Sequence, residues 1–224
     1  MTKWTTHFVD NATSAADLLY VLLGPPGQEP VVSLDTETTG CDPRKESPVQ
    51  RARLFCMTLA WREFDDIHAA FITREWVPAL RAWLECDRYK KVGQNIFGFD
   101  RHVLKNEGIT LRGIEGDTLR ISKLLNPSKT GSHGLKDQAR ALGLEMTDHN
   151  DVMSSVWRGK EKTGNTKTGA HTPVNFEKRI EVPIHVLWET AWRRPAITEY
   201  ALKDAVAGLL VYEDLQTKLA GVSW

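Results

Sequence analysis

Three things are scarce in this sequence, and each scarcity excludes something. Cysteine occurs three times in 224 residues, as Cys41, Cys56 and Cys86. An odd, widely spaced set without a C-x-x-C pair argues against a disulfide scaffold and a zinc ribbon, and fits reduced thiols. Net charge is missing as well, because 29 Lys and Arg balance 29 Asp and Glu. Affinity for nucleic acid would then have to come from a local patch or a bound metal, not from a global field. Long apolar runs are also absent. The stretch Ala15 to Leu23 contains Asp17, is too short to span a bilayer, and has no basic flank or cleavage site. No membrane partner is expected, and the expected location is cytoplasmic. There is no internal repeat.

What remains is ordinary globular composition and enough chain for a sizeable core, read as a single domain over 1–224. Ala15 to Leu23 reads as a helix with Asn11, Thr13 or Ser14 as cap, stopped by Gly24-Pro25-Pro26-Gly27. Strands follow at Val31, at Arg51 to Arg62 and at His68 to Thr73, and their short connections favour antiparallel neighbours. Glu75 to Glu85 carries Trp76, Leu80, Trp83 and Leu84 at helical spacing. Lys90 to Asn95 reads as a strand end, Gly98 to Glu107 as a helix, and Leu111 to Asp117 as a strand. Helices at Thr118 to Leu125 and Gly134 to Leu142 follow, the latter with Gly143 as its stop. The last helix runs from about Ile197 to Leu219, with Pro195 near its start. Three strands and then alternating strands and helices predict an α/β fold with a mixed central sheet flanked by helices.

Residues 157–182 read differently, as a long basic loop rich in Lys, Arg, Thr and Gly. From Arg158 to Arg194 there are eight Lys or Arg against four Glu, which suits contact with substrate phosphates or simply a solvated surface. Gly159 and Gly164 space like a phosphate-binding loop, but Asn165 replaces the lysine and no strand precedes it, which excludes a nucleoside-triphosphate site.

The chemistry starts in Val31 to Gly40, VVSLDTETTG. A buried strand would present Asp35 and Glu37 from one face, since they are two apart. Two neighbouring carboxylates repel and are costly to desolvate, and a cation relieves both problems. A D-x-E pair alone is more often a solvated strand end. Asp100, opening a helix after the Asn95 strand, and Asp204, one turn after Tyr200 on the last helix, change that balance. Hard divalent cations take oxygen ligands, and four carboxylates from three elements would suit two ions about 3.5–4 Å apart.

Three segments, VVSLDTETTG, VGQNIFGFDRHVLKNEGITLRGIEGDT and YALKDA, resemble the exonuclease motifs of the DEDD superfamily in its tyrosine-bearing branch. They are most similar to the 3′→5′ proofreading domain of DNA polymerase I-type (family A) polymerases. The resemblance runs in outline from Val31 to Leu215 and is weak through Thr147 to Pro195. It implies an RNase H-like fold with two divalent cations, Mg²⁺ or Mn²⁺. By similarity Asp35 bridges both ions, Glu37 and Asp204 complete one site, and Asp100 serves the other. Tyr200 orients the attacking water. Gln94, Asn95 and Phe99 contact substrate, together with Thr36 and Thr38 beside the first two acids. Phe99 stands where a tyrosine is common, so stacking must replace a hydroxyl contact.

The expected activity is removal of nucleoside 5′-monophosphates from single-stranded or frayed DNA 3′ ends. The alternative is an exoribonuclease resembling ribonuclease D, and the third reading is a non-catalytic module that binds DNA ends or a polymerase. The chain stops about twenty residues after Asp204, so any polymerase partner would be separately encoded or removed from it.

Overall fold

The structure is a computed structural model that describes residues 3–38, 43–44, 52–128, 133–147 and 195–222. Thr39, Gly40, Cys41 and the basic stretch 157–182 lie outside the described residues. The chain divides into two units, 1–146 with 201–224, and 147–200.

Among the described residues the sheet has six strands in the order β1-β4-β3-β2-β5-β6. These are β1 (Thr5–Val9), β2 (Val32–Thr38), β3 (Leu54–Glu63), β4 (Asp66–Thr73), β5 (Lys91–Gly93) and β6 (Ile114–Asp117). β2, β3 and β4 form the expected antiparallel set, while β1 joins β4, and β5 joins β2 and β6, in parallel. Among the described residues the α-helices are α1 (Ala12–Leu23), α2 (Arg81–Leu84), α3 (Asp100–Asn106), α4 (Thr118–Leu125), α5 (Leu135–Ala141) and α6 (Pro195–Ala220). This mixed sheet with helices is an RNase H-like architecture. No described helix is long and apolar enough to cross a membrane.

Local chemistry accounts for most boundaries. Asn11 caps α1 through a reciprocal box, its side chain accepting from Ser14 N at 2.9 Å while Ser14 Oγ accepts from Asn11 N. Two readings need correction. The segment expected as a helix over Glu75 to Glu85 is a 3₁₀ turn over Arg74–Leu80 that becomes α-helical only at Arg81–Leu84. Pro78 lies inside it, and a proline without an N–H cannot complete the α ladder there. The other is β1, an edge strand that went unforeseen. Five residues are too few for a periodic signal, and its partner β4 lies some sixty positions on.

Alternation along β2 and β3 sends side chains into two cores. Val32, Leu34, Met57, Leu59 and Trp61 face α1, α2 and α3, with Trp83 fully buried among them. Cys56 and Ala60, with Phe71 of β4, face Ala201, Leu202, Ala205 and Leu209 of α6. Lys91 is buried at the start of β5, its ammonium donating to Trp83 O at 2.7 Å and Cys86 O at 2.9 Å. Its Nζ also sits 4.7 Å over the Trp83 ring. Burial lowers the ammonium's pKa to about 8. The loop after α2 is thereby fixed to β5, the strand that leads into Gln94 and Asn95.

Candidate active site

β2 carries Asp35 and Glu37 opposite Thr58 and Cys56 of β3, on the side covered by α6. Thr58 Oγ1 donates to Ala201 O at 3.1 Å, tying that strand to the helix one turn before Asp204. One carboxylate oxygen each from Asp35, Glu37 and Asp204 lies within 4.8 Å of the other two. Two elements distant in sequence, β2 and α6, thus bring their acids together.

Asp100 is close to them but outside that 4.8 Å set. It is 2% exposed at the start of α3, and its Oδ1 accepts from Thr36 N at 3.0 Å and from Thr36 Oγ1 at 2.7 Å. Thr36, between the two acids of β2, therefore orients the fourth acid.

Burial, followed by repulsion from Glu37, Asp100 and Asp204, pushes Asp35 well above the usual carboxylate range. Glu37 rises to about 8, again through burial first and then Asp204 and Asp100. Asp100 rises to about 7 because burial outweighs its Thr36 hydrogen bonds, with Asp117 adding repulsion. Lys136 of α5 pulls Asp35 and Glu37 the other way. One lysine does not balance the cluster. Carboxylates this close are stable together only when protonated or when a cation lies between them. The donor set is all oxygen, which fits Mg²⁺ or Mn²⁺ rather than a soft metal. Asp35, Glu37 and Asp204 would hold one ion, and Asp35 with Asp100 could hold a second.

The residues between β5 and α3 form a turn that one buried acid organises. Asp117, at the end of β6, accepts from Asn95 N at 3.0 Å and Phe97 N at 3.4 Å. It also caps α4, accepting from Leu119 N at 3.1 Å and Arg120 N at 3.4 Å. Asn95 is held at φ 57°, and a Cβ on Gly98 would come within 2.4 Å of Asn95 Oδ1, so a side chain at 98 would force Asn95 to shift. Gln94, expected at the substrate, has its amide engaged within the fold. Its Nε2 donates to His133 O at 2.9 Å and its Oε1 accepts from Thr118 Oγ1. Phe99 is half-buried against the first core, just before Asp100. Thr38 ends β2 at an irregularity in its pairing with β3. Tyr200 belongs to the second unit and lies on α6 four residues before Asp204.

Sequence reasoning missed Asp117, Lys136 and a contact beneath Asp204. Gly208, one turn after Asp204, faces Ser33 of β2, and a Cβ there would meet Ser33 Oγ at 2.4 Å. Ser33 is 1% exposed, and its hydroxyl has no hydrogen-bond partner among the described residues. This close approach sets how near α6 brings Asp204 to Asp35. Gly208→Ala should overpack the contact, costing roughly 1–3 kcal/mol of stability. By shifting Asp204 it should also slow metal-dependent cleavage, by up to about a hundredfold for a displacement near 1 Å. Adding Ser33→Ala should restore both, because the next atom, Ser33 Cβ, is 3.7 Å away. Mn²⁺ titration, thermal melts and cleavage rates on the three variants would check this, and a fully active Gly208→Ala single variant would refute it.

A mixed sheet whose Asp35 and Glu37 meet Asp204 of the long helix α6 has the architecture of a nuclease of the RNase H-like class. More narrowly, the chain belongs to the 3′-5′ exonuclease family, whose pattern matches residues 6–220, and within it to the tyrosine-bearing DEDD branch. DNA polymerase I B, chloroplastic/mitochondrial, of Arabidopsis thaliana is 23% identical over 237 residues, spanning 96% of this chain and 22% of that protein. DNA polymerase I B, mitochondrial, of Oryza sativa subsp. japonica is 25% identical over 238 residues, with the same two shares, 96% and 22%. The chain thus spans about a fifth of the length of these relatives. Among solved structures, RNase D of Trypanosoma brucei in complex with RNA U12 superposes with a TM-score of 0.61 at 14% identity, over 99% of this chain and 64% of that one. The Pol1 structure from M. smegmatis, in complex with DNA primer-template and dNTP, has a TM-score of 0.56 at 18% identity, over 95% and 27%. At these identities the structural likeness speaks for the fold.

Proposed function

We propose that this protein is a divalent-metal-dependent 3′→5′ exodeoxyribonuclease of the proofreading type, which removes nucleoside 5′-monophosphates from single-stranded or frayed DNA 3′ ends. The observation that carries the proposal is the convergence of Asp35, Glu37 and Asp204, with Asp100 beside them, in a chain of the 3′-5′ exonuclease family. Asp35, Glu37 and Asp204 would hold one Mg²⁺ or Mn²⁺, and Asp35 with Asp100 would hold a second. When bound, the ions supply Lewis acidity, lowering the pKa of water and neutralising charge on the leaving 3′ oxygen.

The chain's own residues do the remaining work. Thr36 holds Asp100 in place through its amide and hydroxyl. Tyr200 orients the attacking water by a hydrogen bond. An ordinary phenol, ionising near pH ~10, is too weak a base at neutral pH to do more. Phe99 stacks on a base, a contact worth roughly 1–3 kcal/mol in other single-strand binders. Asn95 and Thr38 flank the terminal nucleotide, and Gln94 acts mainly by bracing His133.

DNA is favoured as substrate because the curated relatives are DNA polymerases. A polymerase that uses the same primer end is the partner this implies. RNA is the second reading, and the fold likeness to an RNase D in complex with RNA supports it. Retention of all four acids weighs against a module that only binds. A digestion ladder on matched DNA and RNA oligonucleotides, labelled at each end in turn, tests the proposal in Mg²⁺ and in Mn²⁺. Stepwise shortening of 5′-labelled DNA, with immediate release of a 3′ label as mononucleotide, is the expected result. Faster loss of RNA would transfer the assignment to ribonuclease, and no release from either would leave a binding module.

A further inference from the structure

One aromatic side chain beside the site is placed in a way the family motifs do not require. Phe97 is partly buried, with its inner side packed on the first core. The guanidinium of Arg120 lies 4.4 Å from its ring centroid and that of Arg101 lies 5.6 Å from it. Both arginines are exposed, Arg120 with 67% of its side chain accessible. They come from different helices, α3 and α4, and the buried carboxylate of Asp117 ties the turn before α3 to the start of α4. That carboxylate accepts from Phe97 N and from Arg120 N. Phe97 lies three residues before Asp100 and Arg101 one residue after it.

We propose that Phe97, Arg101 and Arg120 form a platform for the nucleotides just upstream of the one being removed, Phe97 backing two guanidiniums that bind backbone phosphates and stack on a base. An aromatic face flanked by cations is how proteins bind single strands without reading sequence. Arginine also suits the pairing, because its planar fork both stacks and binds phosphate oxygens. In a chain with no net charge such a patch has to be local, and here Arg101 and Arg120 meet at one ring. A purely structural role fits less well, since Arg120's ion pair is a long one, 3.7 Å from Nε to Asp117 Oδ2. An exposed cation stacked on a partly buried ring adds little to a core already closed by Phe97's inner face.

The inference rests on the exonuclease reading, and its test separates the two. Wild type, Arg101→Ala, Arg120→Ala and Phe97→Leu, the last chosen to keep the core contact, are compared on dT2 and dT8 and on the matching RNAs. For each arginine variant the ratio of kcat/KM on the eight-mer to that on the two-mer should fall about tenfold, through KM. The slope of log kcat/KM against log salt on the eight-mer should flatten by about 0.7 per arginine. Phe97→Leu should lower the same ratio and leave the salt slope as it is. Binding of dT8 by fluorescence anisotropy in Ca²⁺ is measured in parallel and should weaken for all three variants. Equal losses on both lengths, or an unaltered salt slope in both arginine variants, would overturn the platform. Wild-type protein that binds dT8 through these residues and cleaves nothing would overturn the exonuclease reading and leave the platform standing.

Discussion

Asp35→Asn should abolish nucleotide release while leaving the protein folded and, without metal, more stable than wild type. Asp35 is the acid whose charge is opposed by all three others, Glu37, Asp100 and Asp204. It would also be shared by both ion positions. Losing it removes the bridging ligand, so the expected fall in kcat is on the order of a thousandfold or more, the scale seen when one stabilising group at a reacting centre is deleted. Asp204→Ala should fall comparably, because its carboxylate comes from α6 and nothing on β2 can replace it. Tyr200→Phe should cost less, since the phenol orients a water and holds no ion. The stability gain separates this account from simple misfolding: removing one charge from a repelling, desolvated group relieves the metal-free fold. Cleavage rates in Mn²⁺ beside thermal melts in chelator would check both halves. Undiminished cleavage by Asp35→Asn would end the assignment. A large loss of metal-free stability would show that the acid is structural.

Residue by residue, what was legible in the sequence is what chemistry confines to contiguous motifs. Asp35 and Glu37 were readable because a strand has period two, and Asp204 because a helix sets it one turn from Tyr200. Asn95 and Asp100 were readable through their resemblance to the family's middle motif. The antiparallel order of β2, β3 and β4 followed from short connections. Less visible were residues whose role exists only across the fold. Asp117 looks like an ordinary helix cap, and in the sequence nothing says that its oxygens also hold Asn95 and Phe97, twenty or more positions earlier. Ser33 and Gly208 are unremarkable alone and matter only where β2 meets α6. Lys136 is one lysine among many until α5 brings its charge to bear on Asp35 and Glu37. Pro78 was a missed local signal: a proline inside an apolar periodic run predicts a broken helix, and the 3₁₀ turn is that break.

The second large effect is a dependence of stability on pH that metal reverses. Glu37 ionises at about 8 in the fold against 4.5 as a free side chain, and Asp100 at about 7 against 3.8, with Asp35 shifted the same way. A carboxyl whose folded pKa is raised binds more proton folded than unfolded between those two values. Stability must therefore fall as pH rises through that window, here from about 4 to about 8. The groups acting on these acids are each other, Lys136 against Asp35 and Glu37, and Asp117 against Asp100. Two histidines run the opposite way. His7 is lowered by partial burial and His68, and His102 by partial burial and its basic neighbours, so both favour the fold as pH rises towards 6.5. Glu37→Gln separates these contributions by removing one acid and leaving both histidines. Chelated wild type should lose melting temperature from pH 5 to pH 8, and Glu37→Gln should lose clearly less. Mg²⁺ or Mn²⁺ competes with protons for the same oxygens and should stabilise more at pH 8 than at pH 5. At about 100 times Kd, linkage gives about 2.7 kcal/mol, roughly 5–10 °C for a chain of this size. The converse pattern would be a melting temperature level or rising with pH in chelator, or a metal effect equal at both pH values. It would mean that the four acids do not form one electrostatic unit, and the case for a shared metal site would fall with it.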